Sequence, residues 1–123
     1  MARIRDLMGT GNSAEAAKAI AGTRGAITAA GSNSQANGTL LSFETNFVTT
    51  GAGADSVVLP SGAQGAQPGD TVYVFNNTST SCNCFPGSTD TANGSTSAVS
   101  IAQNKMACFK RVSSSGWGYF ITA

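Results

Sequence analysis

From Thr39 to its end, the chain is a series of short apolar runs separated by turn-forming residues, and this pattern constrains the fold most. The clearest run extends from Thr71 to Asn77 and follows Pro68-Gly69, a strong turn signal because Gly tolerates positive φ after Pro. Both faces of this run are apolar, which predicts a central strand between two layers. Runs of this length and spacing predict a mainly β fold, a jelly roll, β-sandwich or small barrel of about seven strands.

The other runs give further strand predictions. Alternation from Leu41 to Phe47 predicts a strand with Leu41, Phe43, Thr45 and Phe47 on its buried face. The remaining predicted strands are centred on 57–59, 82–86, 98–102, 106–112 and 117–121. The predicted core consists of Leu41, Phe43, Phe47, Val58, Val72, Val74, Phe75, Phe85, Val99, Ile101, Phe109 and Trp117. The sequence contains no internal repeat that would indicate a solenoid.

Residues 1–38 differ in character from residues 39–123, and we predict an N-terminal arm followed by a β-domain. The arm is rich in Ala and Gly. Asn12 followed by Glu15 resembles a capping box, and a short helix is expected at about 13–21, ending before Gly22. Such a helix is too short to be stable alone. Residues 22–38 are interpreted as a linker or extended arm.

The sparse charge excludes several function classes. Only 11% of the 123 residues are charged, and the net charge is +1. Lys and Arg are scattered, so nucleic-acid binding is not predicted. The basic start is not followed by an apolar signal-peptide region, and no run approaches the length of a membrane helix. We therefore expect no membrane association and synthesis in a cytoplasm.

The sequence predicts no catalytic, cofactor or metal site. It contains no histidine, which removes Ser-His-Asp and Cys-His catalysis and the commonest zinc ligand. The six acidic residues are dispersed, and Asp70 and Asp90 are expected to serve turns. Among the cysteines, Cys82 and Cys84 share one face of a strand, and free buried thiols are expected. A disulfide from either of them to Cys108 is the alternative.

The aromatic side chains are interpreted mainly as core, with a carbohydrate platform as the alternative. Trp117 and Tyr119, which follow a Ser-rich turn, are the candidate exposed aromatics.

Several segments resemble β-domains of tailed-bacteriophage virion proteins, of the capsid decoration (cement) or head-fibre type. The resemblance is carried by 57–60, 66–77, 84–86, Asn93-Gly94, 109–113 with Trp117, and the opening 3–11. The chain departs from the pattern at Ala92, where Ile is usual, and at Cys82 and Cys84, where apolar residues are usual.

This resemblance implies a compact, non-enzymatic structural protein without cofactors, placed on the capsid surface of a virion. Its partner would be the major capsid protein, and its oligomer a trimer, with a dimer as the alternative. The arm would contact the capsid or a neighbouring subunit through Arg3, Ile4, Arg5, Leu7, Met8 and Ile20. The alternative for the arm is a helix packed on its own domain, or disorder. The alternative function is a tail or head fibre component, or a carbohydrate- or receptor-binding β-module.

Overall fold

The computed structural model describes residues 23–53 and 55–123, with side chains from Gly25 onward. These ranges form ten strands, a 3-10 helix at Gly62–Gln64 and no α-helix. The strands are β1 Thr23–Thr28, β2 Thr39–Leu40, β3 Thr45–Thr50, β4 Ser56–Val58, β5 Thr71–Asn76, β6 Cys82–Phe85, β7 Thr91–Ala92, β8 Val99–Ile101, β9 Lys105–Arg111 and β10 Gly116–Ile121. The mainly β prediction is confirmed, and the predicted helix at 13–21 lies outside the described residues.

The strands form two mixed sheets. The large sheet has six strands in the order β1-β3-β5-β9-β10-β7, and the small sheet has four in the order β2-β4-β6-β8. The first six strands alternate between the sheets along the chain, so β1, β3 and β5 run parallel, as do β2, β4 and β6. Parallel neighbours need a crossover, and here each crossover passes through the other sheet. The sequence does not repeat with this winding, and the parallel pairings were not predicted.

In the C-terminal part of the chain, β9 adds antiparallel pairs to the large sheet. β9 pairs with β5 on one side and with β10 on the other. The hairpin loop predicted between β9 and β10 is confirmed, as is the turn at Pro68-Gly69. In that turn Gly69 has φ of 97°, and the Asp70 carboxylate accepts the Gln67 backbone N–H at 2.8 Å. Asp70 therefore serves its turn as expected.

Both sheets contribute buried side chains to one core. The predicted core residues that are buried are Leu41, Val58, Val72, Val74, Val99, Ile101, Phe109 and Trp117. Phe43, Phe75 and Phe85 are half-buried. The buried apolar residues that the prediction omitted are chiefly Ile27, Val48, Val57, Leu59, Cys82 and Cys84.

The sequence prediction assigned the wrong residues to the buried face of β3. Asn46 and Val48 point inward and are both 0% exposed, whereas Phe47 lies on the opposite face and is 36% exposed. The Asn46 amide is accommodated inside because it donates to the carbonyls of Phe43 and Tyr73, at 2.8 and 3.2 Å. Leu41 is buried before the strand begins, so the alternation that it starts does not continue into β3.

β1 corrects the interpretation of residues 22–38 as a linker or extended arm. It pairs in parallel with β3 at the edge of the large sheet, and Ile27 and Ala29 lie in the core. The strand has one large apolar side chain and an irregularity where Ala26 takes φ of 57°, so its sequence lacks period-two alternation. The predicted boundary after residue 38 therefore falls beyond the first strand of the sheet.

The side chain of Asn76, in the large sheet, forms a hydrogen bond to the small sheet. This side chain is fully buried and donates to the carbonyls of Thr80 and of Ile101 in β8, both at 2.8 Å. Its amide oxygen accepts the N–H and the hydroxyl of Thr78, at 3.0 and 2.7 Å. The amide is thus satisfied on both sides, which a buried polar group requires.

Candidate functional site on the outer face of the large sheet

The outer face of the large sheet carries two rows of apolar side chains. Alternate residues of a strand point to opposite faces, and the buried inward positions of β5 and β9 fix the outward ones. The first row joins Phe47, Phe75 and Met106, which are register partners, and the two phenyl rings stack with centroids 5.3 Å apart. The second row joins Tyr73, Cys108 and Phe120. We call these six residues the aromatic face.

The aromatic face is open to solvent. Phe120 is 65% exposed and Phe47 is 36% exposed, while the other four side chains are half-buried. β5 was predicted to lie centrally between two layers; its inner side packs in the core, and on its outer side no described residues form a second layer. Contiguous apolar surface of this kind on a folded domain marks an interaction site more often than isolated exposed residues do.

The outer side of the small sheet is covered by the chain itself. Ser56 and Val58 of β4 point outward, yet they are 0% and 8% exposed. A side chain on Gly38 would lie 2.7 Å from a Val58 methyl group, and Asn83 of β6 donates to the Asn33 side chain at 3.2 Å. Residues 30–38 therefore form the cover of the small sheet. The large sheet has no equivalent within the described ranges.

Polar groups border the aromatic face on one side. Tyr73 and Cys108 are register partners in β5 and β9. Partial desolvation raises the pKa of Tyr73, and Cys108 and the Glu44 carboxylate raise it further. Partial burial also raises the pKa of Glu44, an effect that Lys110 opposes. The Lys110 ammonium donates to the Thr71 hydroxyl at 3.1 Å. The border thus offers one carboxyl, one ammonium and one phenol to a partner.

The three cysteines are free, and they lie on different sides of the large sheet. Cys82 and Cys84 point into the core from β6, whereas Cys108 lies on the aromatic face. Burial, with a smaller effect of Asp55, raises the pKa of Cys82 to about 11, and burial raises the pKa of Cys84 well above its usual value. The free thiols expected from the sequence are present in the structure, and the alternative disulfide to Cys108 does not form.

Trp117 is part of a buried polar cluster, so its selection as an exposed aromatic was wrong. It is 1% exposed, and the Arg111 guanidinium lies 5.2 Å from its ring centroid. Arg111 also donates to the Asp90 carboxylate at 2.9 Å and to the Ser114 carbonyl at 2.6 Å. The Asp90 carboxylate therefore pairs with Arg111. Tyr119 is half-buried and packs on Phe109, with ring centroids 5.5 Å apart.

The other predicted site residues lie outside the described part of the chain. These are the arm residues Arg3, Ile4, Arg5, Leu7, Met8 and Ile20. Within residues 23–53 and 55–123, no three His, Cys, Asp or Glu side chains cluster as a metal site would require. Over the same ranges, no helix has the length and hydropathy needed to span a bilayer.

The aromatic face was not predicted, although one signal for it was present. The run from Thr71 to Asn77 is apolar on both faces, and this was interpreted as burial under a second layer rather than as an exposed surface. Its other members come from β3, β9 and β10, and only the register of the sheet brings them together.

No protein-family model and no curated protein sequence matches this chain.

Proposed function

We propose that this chain is a non-enzymatic decoration (cement) protein of a tailed-phage capsid, which stabilises the head by bridging subunits of the major capsid protein. The observation that carries the proposal is the aromatic face, an apolar surface on the rigid centre of a sheet. A protein that fills gaps on a lattice needs such a surface and a stable scaffold, and it needs no reactive centre. The resemblance of 57–60, 66–77 and 109–113 with Trp117 to virion β-domains supports the same function.

The scaffold suits repeated docking on a lattice. We favour the β-sandwich among the predicted architectures, because both sheets contribute to one core. Few of its side chains are charged, so docking desolvates mostly hydroxyl, amide and apolar groups. Many weak contacts on one particle act together, so each copy needs only modest affinity. We propose a trimer on the capsid surface, with no nucleic acid or membrane as partner.

The proposal is tested first by the number of copies per purified virion, measured by quantitative mass spectrometry against the major capsid protein. A ratio near parity, or a simple fraction of parity, is expected. A handful of copies would favour a fibre component, and absence from particles would overturn the capsid proposal.

A second test asks whether the aromatic face makes the contact. Phe120→Ser should weaken binding to capsids that lack this protein by about tenfold, because it removes the most exposed ring of the face. Leu40→Ser is the control, since Leu40 is also an exposed apolar residue, at 46%, but belongs to β2 of the small sheet. Equal binding by the two variants would contradict a role for the face.

A carbohydrate-binding module is the second candidate. It is favoured by the same observation, because flat arrays of aromatic rings bordered by a phenol, a carboxyl and an ammonium also suit sugar rings. Binding of the isolated chain to a glycan array, lost in Phe120→Ser, would favour this candidate.

A further inference from the structure

The two sheets differ in the cover of their outer sides. Residues 30–38 cover the small sheet, so that outward-pointing Val58 is only 8% exposed. The aromatic face of the large sheet lies open, and its Phe120 is 65% exposed. The small sheet is therefore covered by residues of its own chain, whereas no described residue covers the aromatic face of the large sheet.

The size of the aromatic face indicates the kind of occupant. Each of its two rows crosses three strands, so at strand and residue spacings of about 4.8 and 6.8 Å its six positions cover about 200 Å² of the sheet. A stable interface between two folded copies needs about 800 Å² from each partner. With the same strand spacing as its width, an extended segment of about twelve residues covers an area near 190 Å². The face therefore matches one segment of chain better than a second folded domain.

The chain supplies such a segment at the edge of the same sheet. The described structure begins at Thr23 in β1, which is paired with Thr45 of β3, beside the row that contains Tyr73. From β1 to β10 the sheet spans four strand spacings, about 19 Å, which an extended chain crosses in about six residues. Residues 1–22 are long enough to cross it, and their attachment gives them a millimolar effective concentration.

The chemistry of that segment matches the face. It contains Ile4, Leu7, Met8 and Ile20. It also contains Arg3 and Arg5, which complement the Glu44 carboxylate that borders the face. We propose that residues 1–22 pack across the aromatic face of their own chain in the isolated protein. This inference concerns the surface assigned to capsid binding, and there the segment would shield that surface before assembly.

Cys108 is a natural reporter for this contact, because it lies at the centre of the aromatic face. The full-length protein is treated with iodoacetamide, and the rate at Cys108 is measured by peptide mass spectrometry. Replacing Leu7→Asp together with Met8→Asp should accelerate alkylation by at least about tenfold, since two buried apolar side chains of the contact are lost. Thr10→Asp with Ser13→Asp makes the same charge change without that loss, and the rate should stay unchanged.

Cys82 and Cys84 show whether each variant is folded, because both thiols are buried in the core. They should remain unreactive throughout. Equal Cys108 rates in the wild type and in Leu7→Asp with Met8→Asp would overturn the proposal. Protection of Cys108 that increases with protein concentration would also overturn it, in favour of a second copy as the occupant.

A second measurement uses the wild-type chain and needs no substitution. A photoreactive benzophenone maleimide is attached to Cys108, and the cross-linked peptides are mapped after illumination. Cross-links from Cys108 into residues 1–22 of the same chain are expected, and cross-links that never reach this segment would refute the contact. Both measurements use the isolated chain without capsids, so their failure leaves the capsid proposal intact, and failure of capsid binding leaves this one intact.

Discussion

Replacing Asn76 by alanine should destabilise the protein more than its single polar side chain suggests. Asn76 is fully buried and makes four hydrogen bonds, to the carbonyls of Thr80 and Ile101 and to the N–H and hydroxyl of Thr78. One of these bonds reaches β8 of the small sheet. The substitution therefore removes a connection between the sheets as well as a local turn contact.

The magnitude follows from the bonds that are lost. Each buried hydrogen bond contributes about 1 kcal/mol net, so four bonds give about 4 kcal/mol. The Thr78 hydroxyl keeps the Thr80 carbonyl as an acceptor at 2.8 Å, which recovers part of one bond. We expect Asn76→Ala to lower the free energy of unfolding by about 3–4 kcal/mol, a large share of the stability of a typical domain.

Urea unfolding measures this change directly. Trp117 is the one tryptophan of the chain and is 1% exposed, so its fluorescence reports opening of the core. Asn77→Ala is the matched control, because Asn77 is exposed and alanine keeps its backbone N–H bond to the Val48 carbonyl. The control should stay within about 0.5 kcal/mol of the wild type. Equal midpoints for the two variants would refute the assignment of Asn76 as the connection between the sheets.

Two further predictions test the orientation of β3 and the state of the thiols. Val48→Ala should cost about 2–3 kcal/mol and Phe47→Ala about 1 kcal/mol or less in urea unfolding, and the reverse order would support the phase predicted from sequence. Above pH 9.0, Cys82 and Cys84 ionise in the unfolded chain, whereas burial keeps both thiols neutral in the folded chain. Each thiol should therefore lower the free energy of unfolding by up to about 1.4 kcal/mol per pH unit. For Cys82 this decrease should end near pH 11, where its thiol also ionises in the folded chain. The variant Cys82→Ala with Cys84→Ala should lack this slope, and an equal slope in both proteins would contradict buried, protonated thiols.

The sequence predicted those strands that are defined by local signals. β5 follows a Pro-Gly turn, and β9 and β10 are joined by a short Ser-rich loop, so turn chemistry and alternation agree there. Part of the burial in these strands was predicted, although Phe75, which was also assigned to the core, lies half-buried on the outer face. Val72, Val74 and Phe109 alternate with residues of the other face, and all three are buried.

The parallel half of the fold could not be predicted in this way. β1 pairs with β3 across the 16 residues 29–44, and no turn signal marks such a pair. In β3 the inward position next to Val48 is occupied by Asn46, a residue that is polar in the sequence and whose buried NH2 group donates to two backbone carbonyls. The alternation of apolar and polar residues does not reveal that an amide is buried. The sequence prediction therefore placed Thr45 and Phe47 on the buried face of β3, whereas the structure buries Asn46 and Val48.

The same limitation explains why the candidate site was missed. In one fold, an apolar residue on the outer face of a strand is buried under another layer of the same chain. In another fold, it stays exposed and contacts a partner. The amino-acid sequence of the strand is the same in both cases. β4 and β5 illustrate the two outcomes within one chain. Val58 of β4 is covered by residues 30–38, whereas Phe75 and Tyr73 of β5 face outward without a described cover. Because the core already has its own apolar side chains from both sheets, the apolar side chains of the aromatic face add little to it. Their presence on the outer side is therefore better explained by a contact that forms over the large sheet than by the needs of the fold.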